Sequence, residues 1–323
     1  MCIRDRASTG NATDFGDLIT NSKYGMGCAS PTRAIWFLGA YPSNINTIEY
    51  TTIATTGNSV DFGDRLFTSS FGGAACSSST RGVLAGGYNH PTVNQSINYV
   101  EIATTGNATD FGNLSASRGG TQGAVSYSIR GIWGGGFEPS QVNTIEYVTI
   151  ASAGNSSNFG DLTTARQGCA RAMSTTRGLF ASGGSPSAVN IIDYITMAST
   201  GNAADFGDTN ADGANGLQGT SSNTRGVFAG LGPNFKTIDF VTIATTGTVT
   251  DFGDMRFQAS QRAGTGNRIR GIFGGGYITP TGRTTLMDQI EIATTGNATA
   301  FGDLTVTTSY AGATSDSHGG LSE

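Results

Sequence analysis

Acidic side chains recur in this sequence at two fixed places, and both could do chemistry. The first is the aspartate of Asp-Phe-Gly, which together with a following aspartate gives pairs such as Asp14 with Asp17 and Asp251 with Asp254. Such pairs could ligate calcium, and Asp-Phe-Gly alone could hold the metal of a phosphoryl-transfer site. No glycine-rich phosphate loop or catalytic-loop motif accompanies it, and aspartate in this setting most often hydrogen-bonds the turn backbone. The second place is held by Glu49, Glu146, Asp193, Asp239 and Asp288, with Asn98 as the exception. Carboxylates such as Glu138 and Asp288 could form a glycosidase pair. The two histidines, His90 and His318, fall in different parts of the pattern, and no G-x-S-x-G is present. No nucleophile–base pair is therefore supported, and no catalytic residue, metal ligand or cofactor is assigned.

The elements that must position these groups follow from a repeat. The phrase T-G-N-x-x-D-F-G-D, or a close variant, returns seven times, with its phenylalanine at Phe15, Phe62, Phe111, Phe159, Phe206, Phe252 and Phe301. A period of about 48 residues marks a repeat architecture. In the copy from Arg81 to Arg130, Arg81-Gly-Val-Leu-Ala-Gly-Gly reads as a short apolar strand, A. A variable loop leads to strand B, Ile97-Asn-Tyr-Val-Glu-Ile, whose alternation fits a half-buried strand. Thr104-Thr-Gly-Asn is a tight turn, strand C carries Phe111, and strand D lies near Gly123 to Tyr127. Four such strands cannot bury both faces of their own sheet, and radial stacking of sheets solves this as a β-propeller. An open β-solenoid is the other arrangement, but its coils usually carry fewer residues. The expectation is an all-β chain of four-stranded antiparallel blades, seven in number with one incomplete, or six as the alternative. The glycine-rich strand A is expected innermost, and the strand-B acids on one rim.

Composition narrows the function classes. A net charge of −5 with no basic cluster lacks the electrostatic footprint of a nucleic-acid binder, and no apolar run approaches the length of a membrane helix. Cysteines at near-equivalent places, Cys28 and Cys76, would sit about 10 Å apart on stacked sheets, too far for a disulfide. The leader Met1-Cys-Ile-Arg-Asp-Arg breaks the strand that other copies place before this turn and resembles translated adaptor sequence, so residues 1–6 are set apart. The expected layout is one propeller over 7–323. It starts with C and D strands in 7–32, continues through full repeats at 33–80, 81–129, 130–176, 177–224, 225–269 and 270–317, and closes with a tail at 318–323.

Several of these residues resemble a known pattern. Paired glycines close strand A at Gly86-Gly87, Gly135-Gly136, Gly183-Gly184 and Gly275-Gly276, and a tyrosine follows on strand B at Tyr50, Tyr99, Tyr147 and Tyr194. This resembles the kelch repeat of the galactose-oxidase superfamily of propellers. The chain departs from that pattern at Phe240 and Gln289 and in using phenylalanine where kelch has tryptophan. The superfamily's oxidases hold copper with histidine and tyrosine, and two scattered histidines cannot carry that site over. The phrase I-[DE]-Y-x-T-I-A-T-T-G-N also resembles repeat proteins encoded in marine bacteriophage genomes, some of them tail or fibre components. That resemblance implies a virion or extracellular setting.

What recurs in every copy reads as architecture. The arginines opening strand A, Arg33, Arg81, Arg130, Arg177, Arg225 and Arg270, are assigned to ties between blades. The anchors Phe62, Phe111, Phe159, Phe206 and Phe252 are assigned to the core between blades. What differs reads as function. The A–B loops vary most, and Tyr41, Tyr88, His90, Phe137, Glu138, Tyr277 and Arg283 are the candidate binding residues, since aromatic rings suit sugar or protein contacts. The function expected is a non-catalytic binding or structural propeller, virion- or tail-associated, contacting a host surface glycan or another virion protein, with neither nucleic acid nor membrane as partner. A secreted glycan-active enzyme or lectin is the alternative.

Overall fold

The computed structural model describes residues 2–3, 9–40, 43–69, 71–89, 91–120, 124–127, 129–137, 139–185, 187–213 and 217–314. The closing tail at 318–323 and most of the leader lie outside them. Every regular element among the described residues is a β-strand. Among the described residues they form six antiparallel sheets built on four strands each, two of them with a short fifth strand added, so six blades are found, the alternative of the two expected counts. Blade I comprises Met26–Ala29, Arg33–Phe37, Ile45–Thr52 and Val60–Ser69. Blade II comprises Ala74–Ser77, Arg81–Ala85, Ser96–Glu101 and Thr109–Asn113. Blade III comprises Ala124–Tyr127, Arg130–Gly134, Thr144–Thr149 and Ser157–Asp161. Blade IV runs from Ala170–Met173 to Ala204–Gly213, blade V from Gln218–Ser221 to Thr250–Asp254, and blade VI from Ala263–Gly266 to Thr299–Thr308. The seventh copy of the turn motif lies in the first residues, where Thr13–Asp14 pairs with Cys2–Ile3 and the amides of Gly10 and Ala12 donate to Phe301 and Asp303 C=O.

Within each sheet the order is D, A, B, C, and the D strand comes from the end of the preceding sequence copy. Strand A is therefore flanked on both sides and cannot be innermost. That place belongs to strand D, whose sequences Met-Gly-Cys-Ala, Ala-Ala-Cys-Ser and Ala-Gly-Thr-Gly are small-residue runs. Small residues are needed because successive D strands touch: a Cβ on Gly73 would lie 3.2 Å from the Met26 sulfur, and one on Gly219 would lie 2.0 Å from the Arg171 carbonyl oxygen.

The chain groups into two compact units. One runs from Phe15 to Gln167, with the segment that begins at Gly312, and holds blades I, II and III; the other, centred on Gly168–Ala311, holds blades IV, V and VI. In the first unit the core lies between sheet faces: Cys28, Ile35, Phe37, Phe62, Leu84 and Val100 join blades I and II, and Cys76, Val83, Phe111, Trp133 and Val148 join blades II and III. In the second, Leu179, Phe206, Phe228 and Val241 join blades IV and V, while Val227, Phe252, Phe273 and Ile290 join V and VI. Cys28, Cys76 and Cys169 are buried. Burial foremost, and then Cys76, pushes the Cys28 thiol up.

Candidate ligand-binding site

The repeated motif is consumed by blade-to-blade docking. Phe62 C=O accepts from Gly106 N–H at 2.7 Å, Asp64 C=O accepts from Ala108 N–H at 2.8 Å, and Asp64 N–H donates to the Asn107 side-chain oxygen at 3.0 Å. The same bonds join Phe111 and Asn113 to Gly154, Ser156 and Asn155, and Phe252 and Asp254 to Gly296, Ala298 and Asn297. Asp61, Asp110, Asp205 and Asp251 each accept from the amide of the following Gly63, Gly112, Gly207 or Gly253. These glycines are required by the docking: at Gly63, φ is +137° and a Cβ would lie 2.5 Å from Gly106 backbone.

The strand-A arginines lie over the strand-B aromatics, with Arg33, Arg81, Arg177 and Arg225 each 4.5 Å above Tyr50, Tyr99, Tyr194 and Phe240, and Arg130 4.7 Å above Tyr147. Those rings meet the Phe62, Phe111, Phe159, Phe206 and Phe252 anchors edge-on at 5.7–5.9 Å. Beyond the ring, Arg33 donates to Ile102 C=O, Arg81 to Ile150 and Ala151, Arg177 to Ile243 and Arg225 to Ile292, in each case on the next blade. Arg270 pairs in register with Glu291.

The strand-B acids are not on a rim. Glu49, Glu146, Asp193, Asp239 and Asp288 are all at most 1% exposed. A β-bulge falls immediately before this position in all six blades. A bulge re-aims a side chain, and here it turns the acid to the connector arriving from the previous copy. Glu49 accepts from Ile19 and Thr20 N–H and from Ser59 hydroxyl, and Glu146 accepts from Ser115 N–H, Ser156 hydroxyl and the Arg118 guanidinium. Asp239 takes both its bonds from Asn210, and Asp288 is held by Arg256 and Arg262. Burial is the main cause that raises Asp239 and Asp288 above the usual carboxylate range. Asp288 is thus unavailable as half of a glycosidase pair; Glu138 lies outside the described residues.

The A–B loops give the remaining candidates. Tyr41, His90 and Glu138 lie outside the described residues. Tyr88, Phe137 and Tyr277 occupy one equivalent position, and each exchanges backbone bonds with the C–D connector beside it. Tyr88 N–H donates to Phe71 C=O at 2.8 Å, Phe137 N–H to Gly119 at 2.8 Å and Tyr277 N–H to Ser260 at 2.8 Å. Each loop is thus fused to a connector, and the connector residue decides what the aromatic faces. Beside Phe137 it is glycine, and beside Tyr277 it is serine. Tyr277 is exposed and in register with exposed Arg283, and Tyr310 on the following connector is also exposed. Beside Tyr88 the connector supplies a second ring, Phe71, at 5.1 Å, and Tyr24 adds a third 5.6 Å from Phe71. Phe71 is 38% exposed. Tyr24 sits at φ 58°, a left-handed conformation uncommon for a bulky residue. Next to this stair, Asn44 donates to Asn89, and Asn89 donates to the Thr68 hydroxyl at 2.9 Å.

The connectors were the missed half of the site. Tyr24 and Tyr310 both fall nine residues after a repeat phenylalanine, and Phe71 falls nine after Phe62. That recurrence was available in the sequence. The buried guanidiniums of Arg65, Arg118, Arg166 and Arg262 were also missed as a group, because they lie at different distances from the anchor.

Together, the six four-stranded meanders and their docking motif define a β-propeller. Among solved structures the chain is similar to "Structure of YjhT", with a TM-score of 0.68 and 10% sequence identity over 87% of this chain and 98% of that one. This likeness is one of fold. No protein-family model and no curated sequence matches the chain.

Proposed function

We propose that the chain is a non-catalytic binding propeller that takes a glycan on the aromatic stair formed by Tyr24, Phe71 and Tyr88. The observation that carries this reading is the stair itself: three rings at 5.1 and 5.6 Å, tilted 45–47° to one another, with a partly exposed phenylalanine in the middle. Large apolar side chains left open beside amide and hydroxyl groups favour a partner that is apolar on one face and hydroxylated at its edge. Sugar rings have that character, and Asn44, Asn89 and Thr68 supply hydrogen-bonding partners alongside. The non-catalytic part is supported by the carboxylates: those of strand B are buried and spent on backbone amides and guanidiniums. The virion or tail setting, with a host surface glycan as ligand, rests on the resemblance of the repeat phrase to phage-encoded repeats.

Glycan-array screening followed by calorimetry tests the reading. Binding to a surface polysaccharide that falls at least tenfold in Phe71→Ala and Tyr88→Ala is the expected result. Binding that survives both changes places the ligand elsewhere. Release of reducing ends from a polysaccharide would instead establish the enzyme alternative.

A further inference from the structure

Two buried guanidiniums of this protein, those of Arg118 and Arg262, meet a carboxylate. Arg118 places two bonds on the carbonyls of Gly135 and Thr144 and its remaining arm on Glu146. Arg262 likewise reaches Asp288. Arg65 does the first half of this and not the second. Its Nη2 donates to Leu38 C=O and Ile45 C=O, each at 2.6 Å, in the equivalent A–B loop base of blade I. Arg65 is 2% exposed, and its Nη1 and Nε atoms are buried without a partner. Nε is also unpartnered in Arg118, so Nη1 is the distinguishing atom. No carboxylate among the described residues forms an ion pair with it, and the only ring near it is Phe67, at 5.8 Å. The cause lies one connector earlier. Ser22, seven residues after Phe15, stands where Arg118 stands after Phe111, and its hydroxyl bonds Gly39 instead of reaching Glu49. Arg65 therefore enters from blade I's own strand C and comes to the loop base without an acid.

We propose that the base of the blade I A–B loop binds a small monovalent anion, halide or carboxylate, on Nη1 of Arg65. An uncompensated charge held in a protein interior is destabilising, and an anion at Nη1 offsets this through a charge-assisted bond. Burial lowers the Arg65 guanidinium to about 10, which still leaves it protonated at neutral pH. The site differs from the aromatic stair in both residues and ligand class, so either can fail alone.

The test measures the thermal midpoint of the whole chain in rising sodium bromide and, separately, sodium acetate at constant ionic strength. Wild type is expected to rise by about 2 °C or more with a saturating profile, and Arg65→Met is expected to lose the response. A response to bromide alone identifies a free halide, and a response to both admits the carboxylate of a larger ligand. Equal shifts in wild type and variant overturn the proposal. Where Arg65→Met does not fold, bromide-soaked crystals of the wild-type chain decide: anomalous density against Nη1 supports the site, and none there overturns it.

Discussion

The two ends of each sheet obey different rules. At the end carrying the B–C turns, the same bonds recur between neighbouring copies: glycine amide to phenylalanine carbonyl, and, where Asn11, Asn58, Asn107, Asn155 and Asn297 follow that glycine, the amide two residues past the phenylalanine to the asparagine side-chain oxygen; Thr248 takes that place in one copy. At the end carrying the A–B loops and C–D connectors, the backbone contact is kept while the side chains on it change: Tyr88 on Phe71, Phe137 on Gly119, Tyr277 on Ser260. The first end has no freedom because backbone meets backbone at the closest approach sterics allow. The second fixes only where a side chain emerges. Uniform sequence therefore marks assembly here, and variation above a uniform backbone contact is where the proposed binding surface lies.

The sharpest way to break this contrast is at a docking glycine. At Gly112 a Cβ would fall 2.4 Å from the Gly154 carbonyl oxygen, with φ at +143°. Gly112→Val should cost more than about 4 kcal/mol or abolish folding. Gly106→Ala, at φ +154° with nothing within 4 Å, meets backbone strain but no clash and should cost less, about 1–3 kcal/mol. Denaturant midpoints measure both, and equal effects would show that close approach is not what selects glycine. Next in size is Glu146→Gln, which leaves the Arg118 charge buried without its acid and should destabilise by about 3 kcal/mol.

A smaller effect separates acids with and without a guanidinium. Asp239 meets only the Asn210 amides and is raised mainly by burial. A carboxyl whose folded value lies above its unfolded value, about 3.9, binds more protons in the native state across that window. Its contribution to stability is therefore lost as pH rises through the window. Asp239→Asn should flatten this part of the stability–pH curve, as read by calorimetry from pH 3.5 to neutrality (about 7), and an unchanged curve would place the titration elsewhere. The smallest stability effect is expected at the recognition end: Tyr88→Ala should cost about 1 kcal/mol while removing ligand binding. A large loss of stability there would class Tyr88 with the architecture.

Much of the fold could be read from the period, because each strand B alternates and every turn but Gly247-Thr248 carries Gly-Asn. Strand D could not be ranked by depth. Ala-Ala-Cys-Ser offers neither β-branched residues nor alternation, and the paired glycines after strand A drew attention to the wrong strand. The depth of Glu146 was hidden for a different reason. Alternation requires Ile145 and Glu146 to face opposite ways, yet both are buried, because the bulge between them breaks the period of two. Of the proposed site, the loop aromatics stand out in the sequence as variation on a constant frame. Their pairing with Phe71 and Tyr24 was not, since it depends on which connector lies beside which loop. Arg65 could not be grouped with Arg118 and Arg262 because the three lie 3, 7 and 10 residues past their anchors.

The offset between sequence copy and sheet bears on how such a chain can change in length over evolutionary time. Each sheet borrows its first strand from the copy before it, and the turns dock on neighbouring copies through a recurring glycine-to-phenylalanine bond. Unequal recombination between two copies therefore recreates a junction that the protein already contains, wherever in the 48-residue period the exchange falls. Gene duplication and loss can add or remove whole units without inventing a contact, while the residues on the loop ends are shuffled with them into new neighbourhoods.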